Sequence, residues 1–455
     1  MLIALALFGC ADGEDSETVG PTWHQDVAPI VSSHCASCHT DGNIAPFSLD
    51  TYAAASPFAA AMAAQAESRK MPPWLAEDTE DCAPPHPWAG DLRMSDADIA
   101  TLSAWAAAGA PEGDPATAAP LPEPPNLSIA SPDEVIPWQE GFVVKPGTTD
   151  QFQCFVLDLP NTKPMWVTQV QLVPGNPTID HHGLVYLAAK ADQIATLPVG
   201  PDGSFPCFNP PSVDGYLMST WVPGSAPTDT PPDVAMYVPE GAKIVVQMHY
   251  HPAQTEQEDL SMVELVWSET KPTYAGAQAL LGNEWRQDGE GFGLQPDPND
   301  RTGVEFRIPA DVSDHTETMI IKQSIPYDFP VFSVGTHMHY VGTDMKIEIE
   351  HADPPAGTPA NECLIRTPRW DFNWQRTYRY DAPLAELPRI YEGDLIKMTC
   401  TYDNSLGNPF VAEALADQGV AEPYDVYLGE STVEEMCLGL FGFIVPAQFV
   451  DLLLQ

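Results

Sequence analysis

Short runs of alternating apolar and polar residues fill the sequence from about residue 135 to its end. Turn-forming residues separate these runs, and the whole chain contains 48 Pro and 31 Gly. Such a texture is typical of antiparallel β-sandwiches. About 320 residues are too many for one sandwich, so we expect two in tandem, over 135–270 and 271–455, divided near the segment SETKPTYAG.

Residues 20–115 differ from the rest because they are rich in Ala and helical in character. Ser95, with Asp98 three residues later, is typical of a helix N-terminus, and Gly109 is typical of a helix end. The Pro-rich stretch 116–134 predicts an extended, semi-rigid linker. The chain is therefore expected to be mainly β, with a small all-α domain in front.

The first residues form an apolar run, 2–8, that is far too short to span a bilayer. It ends in LFGC, which looks like the lipobox of a bacterial lipoprotein signal. We therefore expect residues 1–19 to be a signal and tether with lipid on Cys10, which would place the protein on the periplasmic or cell-surface side of a membrane. The basic residues that open a signal are missing, consistent with a start upstream of Met1. The alternative is a short hydrophobic N-terminus of no consequence.

The charge balance is strongly acidic, with 19 Lys plus Arg against 64 Asp plus Glu and a formal charge of −45. Nucleic acid is not an expected partner, because such a chain has no basic surface to neutralise phosphates. Solubility or a salty habitat explains a surface this acidic better than a specific partner does. It would also attract a cationic substrate over long range.

Nine cysteines suit an oxidising compartment. One of them is assigned to lipid, and two belong to the motif described next. Sequence alone does not give the pairing of the other six, which are Cys82, Cys154, Cys207, Cys363, Cys400 and Cys437.

The segment HCASCHTDG contains Cys35-x-x-Cys38-His39, the pattern of covalent attachment of a c-type haem. The two thiols would form thioethers with the haem vinyl groups, and the adjacent imidazole would lie under the iron. A thioredoxin-like redox pair lacks its βαβ setting here. Half of a zinc site lacks a second C-x-x-C. The motif therefore predicts one covalently bound haem.

Two methionines compete to be the sixth iron ligand. Met71 lies in SRKMPPWLAED, where prolines restrict the loop, whereas Met94 lies next to a helix start, a position that favours packing. The segment resembles a small class I cytochrome c domain, in which an MPPW-like loop supplies the axial methionine. That resemblance assigns Met71. Methionine ligation raises the iron potential, which suits an electron carrier.

Histidines of the β region fall in three clusters. Side chains at i and i+2 of a strand share a face, so the run VFSVGTHMHYVG predicts neighbouring imidazoles with Met338 on the opposite face. Packing alone explains three clusters poorly, because burying imidazoles without partners is costly. Imidazoles suit Zn, Cu, Fe and Ni, a thioether selects reduced copper, and zinc with an open position is the main rival. The clustered donors are His181, His182, His249, His251, His337, His339 and the sulfur candidate Met436, whereas His315 and His351 are expected to be ordinary surface residues.

Five motifs over about residues 140–450, namely HH, QMHYH, THMH, CTYDN and EEMC, resemble in order and local sequence the type II, ascorbate-dependent copper monooxygenases, which include dopamine β-monooxygenase and peptidylglycine α-hydroxylating monooxygenase. The resemblance implies two tandem jelly-roll sandwiches that hold two copper ions facing each other across a solvent-filled cleft. It also implies a disulfide between Cys400 and Cys437. The implied ligands are His181, His182 and His249 for the electron-transfer copper and the catalytic His337, His339 and Met436 for the oxygen-binding copper, with His251 outside the ligand set.

The implied reaction inserts one oxygen atom of O₂ into a C–H bond of a small organic substrate, with one electron stored on each copper. The external electron donor would be a redox protein or an ascorbate-like reductant, and we expect the fused haem to take the place of ascorbate. Peptidylglycine enzymes anchor a peptide carboxylate near positions held here by Gly335, Leu438 and Leu440, so such an anchor is not expected.

Two other functions remain open. The first is a non-catalytic periplasmic haem and copper protein that transfers electrons or binds copper. The second is a zinc hydrolase, which the sequence disfavours because the only carboxylate beside the histidine clusters is that of Asp180.

Overall fold

The computed structural model describes residues 20–147, 150–207, 213–283 and 290–454. The chain is mainly β, as predicted. It divides into two compact units, one formed by residues 20–72 and 92–125 and the other by residues 73–91 and 126–454. The predicted lipobox, with Cys10, lies outside the described residues.

The first unit is built from helices around an apolar core. Its α-helices are α1 (Ala28–His34), α2 (Tyr52–Ala55), α3 (Ala59–Glu67) and α4 (Asp96–Ala107), and its short π or 3-10 turns are Trp23–Val27, Ser56–Phe58 and Pro115–Thr117. The Ser95 Oγ accepts a hydrogen bond from the Asp98 amide at 3.1 Å, which confirms the predicted start of α4. Trp23, Leu102 and Trp105 lie buried in the core.

All the strands found among the described residues lie in the second unit. Their bounds are β1 (Glu134–Pro137), β2 (Phe142–Val144), β3 (Gln151–Asp158), β4 (Met165–Val173), β5 (Asp180–Ala188), β6 (Ser204–Pro206), β7 (Gly215–Trp221), β8 (Thr228–Asp229), β9 (Val234–Val238), β10 (Lys243–Tyr250), β11 (Gln257–Asp259), β12 (Met262–Ser268), β13 (Tyr274–Gly282), β14 (Gly293–Leu294), β15 (Arg307–Ile308), β16 (His315–Lys322), β17 (Phe329–His337), β18 (Gly342–Glu350), β19 (Asn361–Thr367), β20 (Thr377–Arg379), β21 (Arg389–Ile390), β22 (Leu395–Tyr402), β23 (Val426–Tyr427) and β24 (Leu438–Pro446). The helices are α5 (Ala191–Ile194) and α6 (Pro409–Gln418), with 3-10 turns at Phe372–Trp374 and Ala447–Leu452.

One large sheet joins strands from both sides of the boundary predicted near residue 270. Its main path is β1-β12-β4-β9-β13-β7-β5-β10-β3-β6, and β24 pairs with both β13 and β17. A five-stranded sheet has the order β14-β16-β22-β18-β19. Two stretches of this framework carry clustered histidines. They are the β5–β10 pair and the end of β17 beside the start of β24.

Three disulfides lie within the second unit. Cys400–Cys437 confirms the pairing that the resemblance implied, and Cys154–Cys207 links β3 to the end of β6. Cys82–Cys363 attaches the segment 73–91 to β19. This segment therefore belongs to the second unit, although it falls inside the range 20–115 that was predicted to form the helical domain.

Among the described residues, no helix combines the length and the apolar character that crossing a membrane requires.

Candidate metal centres

The first donor set comprises His181, His182 and His249, and an irregularity between two strands brings it together. On β10, His249 lies directly opposite His182 of β5, whereas the next residue, Tyr250, lies opposite Asp180. His181 is thus the extra residue of a β-bulge, which re-aims a side chain that would otherwise point to the other face. Two adjacent histidines can therefore face the same partner.

Nitrogen atoms of the first donor set converge on a common point. The Nδ1 atom of His182 lies 3.1 Å from Nδ1 of His181 and 3.2 Å from Nδ1 of His249. Two ligands that each lie about 2.0 Å from a tetrahedral metal ion are about 3.3 Å apart, so the spacing fits an ion bound by three Nδ1 atoms. Burial and the neighbouring imidazoles lower the pKa of His181 to about 3, so the ring is neutral, as a metal ligand must be.

Asp150, which the sequence reading missed, supports this donor set from outside. Its Oδ2 atom lies 2.9 Å from Nε2 of His249, too bent for a regular hydrogen bond, and its Oδ1 atom accepts a hydrogen bond from Nδ1 of His251 at 2.9 Å. Burial opposes ionisation of Asp150, but the contacts with His249 and His251 outweigh it and lower its pKa. A carboxylate this close to Nε2 of His249 favours a proton on that nitrogen, which leaves Nδ1 for a metal. His251 contacts Asp150 and is not one of the three converging imidazoles.

The second donor set comprises His337, His339 and Met436. The two imidazoles lie 5.2 Å apart between ring centroids at 89°. Strand β17 ends at His337, so His339 belongs to the turn that follows, not to the strand as predicted. Burial lowers the pKa of His337 to about 4 and that of His339 to about 3. Both rings are therefore neutral.

Hydrogen bonds select the nitrogen that each ring of the second donor set turns to the cavity. Nδ1 of His337 donates to Oε1 of Gln375 at 2.5 Å, and the Gln375 amide is oriented because its Nε2 donates to the Phe372 carbonyl at 3.0 Å. Nδ1 of His339 donates to the Glu434 carbonyl at 3.2 Å. The lone pair left for a metal is on Nε2 in both rings, in contrast to the first donor set.

A buried glutamate joins the two parts of the second donor set. Glu435 is fully buried, and its carboxylate accepts hydrogen bonds from the backbone amides of His339, Val341 (3.2 Å) and Met436 (2.8 Å). Burial raises its pKa to about 8 against the opposing effect of these bonds. Because one carboxylate holds both segments, the sulfur of Met436 and the imidazole of His339 are presented together. The Cys400–Cys437 disulfide braces the next residue.

Both donor sets line one cavity of about 280 Å³. Its walls include His182 and His249 of the first donor set together with His337, His339 and Met436 of the second. Gly335, Leu438 and Leu440 also line it, as do two residues that the sequence reading missed, Arg376 and Glu430. The wall is thus mainly apolar near Met436 and carries one cation and one carboxyl group.

One phenyl ring contacts both donor sets. The buried Phe372 stacks on His181 with 4.9 Å between ring centroids and lies edge-on to His339 at 6.3 Å. It belongs to the 3-10 turn whose C-terminal neighbour, Gln375, holds His337. The sequence carried no signal for this role, since nothing in RWDFNWQR marks it.

The motif predicted to attach haem lies just after α1. The amide of His39 donates to the Cys35 carbonyl at 2.9 Å, and Nδ1 of His39 donates to the Phe47 carbonyl at 3.0 Å, which leaves Nε2 as the available lone pair. Cys35 and Cys38 belong to no disulfide in the described part of the chain. Two exposed phenyl rings, Phe47 and Phe58, stack beside His39. These features fit a haem group, which needs an oriented imidazole, reduced thiols and an apolar surface.

The two methionines considered as sixth iron ligand differ in burial. Met94 is buried in the apolar core of the first unit, whereas Met71 is half-buried after α3. Met71 as the axial ligand stays a prediction.

His315 and His351 correct the sequence reading, which expected ordinary surface residues. Both are buried, with 3% and 6% of their surface exposed. His351 lies between Asp394 (2.7 Å) and Glu362 (3.3 Å). His315 lies 2.8 Å from the carboxylate of Glu317, two residues further along the same strand. The sequence pattern alone does not show that these residues are buried.

Comparisons with known proteins identify no relative. No family model and no curated protein matches the chain. Among solved structures, a Paenibacillus xanthan lyase aligns with 66% of this chain at 10% identity and a TM-score of 0.16, and the chain spans 25% of that lyase. An oxalate decarboxylase of Bacillus subtilis aligns at 8% identity and a TM-score of 0.09. The alignment covers 73% of this chain and 84% of the decarboxylase chain. Scores this low carry no argument about fold or function.

Proposed function

We propose that this protein is a copper-dependent monooxygenase that hydroxylates a C–H bond of a small organic substrate with O₂. The observation that carries the proposal is that His182 and His249, from a group of three converging imidazoles, line the same cavity as a two-imidazole, one-thioether donor set. A set of three nitrogens suits several metals, but a thioether among the ligands favours copper in its reduced state. When bound, the two copper ions supply the position for O₂ and the two stored electrons that the reaction needs.

The chain's own residues orient the donors. Asp150 and Gln375 keep protons on the outward-facing nitrogens of His249 and His337, so that the inward-facing lone pairs remain available. Glu435 holds the His339 and Met436 segments in one geometry. This arrangement agrees with the roles expected from the resemblance, in which the second donor set binds oxygen.

The cavity wall indicates the kind of substrate. Leu280, Leu438 and Leu440 offer an apolar surface, while the guanidinium of Arg376 and the carboxyl group of Glu430 offer polar contacts. Burial raises the pKa of Glu430, so this group resists ionisation inside the cavity. A small, mainly apolar molecule with one polar group fits such a wall better than a peptide does.

The finer parts of the proposal concern the fold and the electron supply. The second unit would be two jelly rolls, and the first unit would be a class I cytochrome c-like domain with haem on Cys35, Cys38 and His39 and with Met71 as sixth ligand. The haem would pass electrons from an external redox protein to the first donor set. A lipid on Cys10 would keep the protein at the outer face of a bacterial membrane.

Metal analysis combined with oxygen consumption tests the proposal. Purified protein should contain two copper ions and one haem per chain, and reductant-dependent O₂ uptake should appear with a suitable member of a metabolite panel. Copper without uptake across a broad panel would instead support a non-catalytic electron carrier. For the haem, Met71→Ala should give a high-spin spectrum, and an unchanged spectrum would move the ligand assignment to Met94.

A further inference from the structure

A third group of metal-ligating side chains lies in the second unit and takes no part in the proposed reaction. It comprises Asp297, His315 and Glu317, which we call the 297–317 cluster, and its ligand atoms lie within 4.8 Å of one another. His315 and Glu317 are alternate residues at the start of β16, so they share one face of that strand. Asp297 comes from the loop before β15.

Two carboxylate oxygens of this cluster are buried without a partner. Glu317 is fully buried, and its Oε1 atom accepts a hydrogen bond from the Arg307 amide at 3.1 Å, but its Oε2 atom has no partner. Asp297 accepts from the Asn299 amide at 2.6 Å through Oδ1, and its buried Oδ2 atom also has none. Unpaired buried carboxylate oxygens are costly, and an ion is one of the few things that explains them.

The guanidinium of Arg307, whose backbone amide binds Glu317, is directed to other groups. The Arg307 guanidinium donates to Asp425 at 3.2 Å and to the Asn299 carbonyl. Burial raises the pKa of Glu317, with His315 and the Arg307 amide opposing the shift. The cluster thus places two carboxyl groups in a poorly hydrated position.

The imidazole of His315 can serve as a third ligand if the side-chain amide of Asn299 flips. Nε2 lies 2.8 Å from Glu317 Oε1, and Nδ1 lies 3.0 Å from the side-chain amide of Asn299. A 180° flip of an asparagine side chain exchanges the positions of its amide oxygen and nitrogen, and the choice between the two orientations is an assignment. With its oxygen turned to Nδ1–H, Asn299 would hold the proton on Nδ1 and leave Nε2 to bind.

We propose that the 297–317 cluster binds one divalent cation of the zinc type. One imidazole and two carboxylates form a donor set that suits Zn²⁺. Cu(I) prefers the thioether and imidazoles of the cavity. Two ligands of one zinc ion are about 3–4 Å apart, so the cluster needs only a small closure. In the β16–β22 register, Glu317 lies opposite Cys400, whose disulfide partner follows Met436, so the ion would stabilise the framework behind the second donor set.

The test is zinc uptake by the full-length protein after its copper sites have been filled with Cu(I) under anaerobic conditions. Wild type should take up one Zn²⁺ per chain, measured by mass spectrometry of the metals, and its Tm should rise. Glu317→Gln, which keeps the shape of the side chain, should lose the zinc and the rise in Tm. Its copper content should remain, which reports a folded protein. Glu362→Gln, beside the other buried histidine, is the matched control and should keep the zinc.

A second variant protects the test if Glu317→Gln does not fold. Asp297→Asn changes a loop residue and should lower zinc uptake at least tenfold with normal copper content. The proposal is overturned if wild type takes up no Zn²⁺ beyond its copper, if both cluster variants keep it, or if Ca²⁺ is bound in preference to Zn²⁺. Copper and zinc are counted separately, so failure here leaves the monooxygenase proposal unaffected.

Discussion

The two donor sets that share the cavity are assembled in different ways. The first uses two neighbouring strands, and the backbone register of β5 and β10, with its bulge, places all three imidazoles. The second combines a strand end, the turn after it and a methionine about one hundred residues later, and a buried carboxylate together with a disulfide holds these segments in place. Secondary structure thus builds the first donor set, whereas tertiary contacts build the second.

The largest expected effect comes from removing one donor from each set. Met436→Ala should lose the copper–sulfur signal in X-ray absorption and abolish O₂ uptake, because no other thioether has been assigned to the cavity. His182→Ala should abolish uptake as well but keep the copper–sulfur signal. The haem spectrum, which should be unchanged in both, is the control. Turnover by Met436→Ala would remove this residue from the site.

Outer support should matter more for the second donor set than for the first. Above pH 8, where the carboxyl group of Glu435 is ionised, Glu435→Gln replaces an acceptor by an amide NH₂ that faces backbone amides. We then expect a loss of about 3 kcal/mol in the free energy of unfolding and loss of copper from the second set. Asp150→Asn should weaken copper binding at the first set roughly 10- to 100-fold with little change in stability.

Denaturant unfolding and copper content in both variants check this prediction. Equal destabilisation by the two substitutions would contradict the contrast between the donor sets.

The two disulfides near the donor sets offer a matched pair. Replacing both cysteines of Cys400–Cys437 or of Cys154–Cys207 by Ala should cost about 2–4 kcal/mol of stability in each case, since the residues they join are 37 and 53 positions apart. Only the first change should also lower copper occupancy, because Cys437 follows Met436. Thermal unfolding and copper counts test this prediction, and a loss of copper in both variants would contradict it.

The smallest expected effect concerns the ring between the donor sets. Phe372→Leu should cost about 1 kcal/mol of stability and leave both copper ions bound. It should lower O₂ uptake several-fold, because the contact that aligns His181 with His339 is lost. Phe410→Leu is the control, since Phe410 stacks on Tyr340 at 6.0 Å. An equal decrease in uptake in both variants would assign no special role to Phe372.

Sequence reading anticipated those features that depend on residue type and local spacing. The alternating runs predicted a mainly β chain, Ser95 marked a helix start, and the resemblance implied the Cys400–Cys437 pair. The histidine clusters were singled out by residue type, and the resemblance selected His181, His182 and His249 from them, three residues that the structure brings together. The pairing of β5 with β10, which places these imidazoles side by side, joins strands that are far apart in the sequence.

Other features had no local signal. Asp150, Glu435 and Phe372 are ordinary residue types, and their roles arise from partners far along the chain. The burial of His315 was also missed, although its partner Glu317 is only two residues away, because the alternating pattern does not show which face of the strand is buried. The segment 73–91 looked like part of the helical region, yet the disulfide from Cys82 joins it to the β unit.

The sequence by itself therefore determined which chemistry the chain can offer, because donor atoms and alternating patterns belong to residues and their immediate neighbours. Only the tertiary structure decided which nitrogen of each imidazole faces the cavity and which carboxylates are buried beside the ligands. It also decided that two donor sets share one space. These are properties of contacts between distant segments, whose free energies depend on burial and geometry that no local run of residues contains.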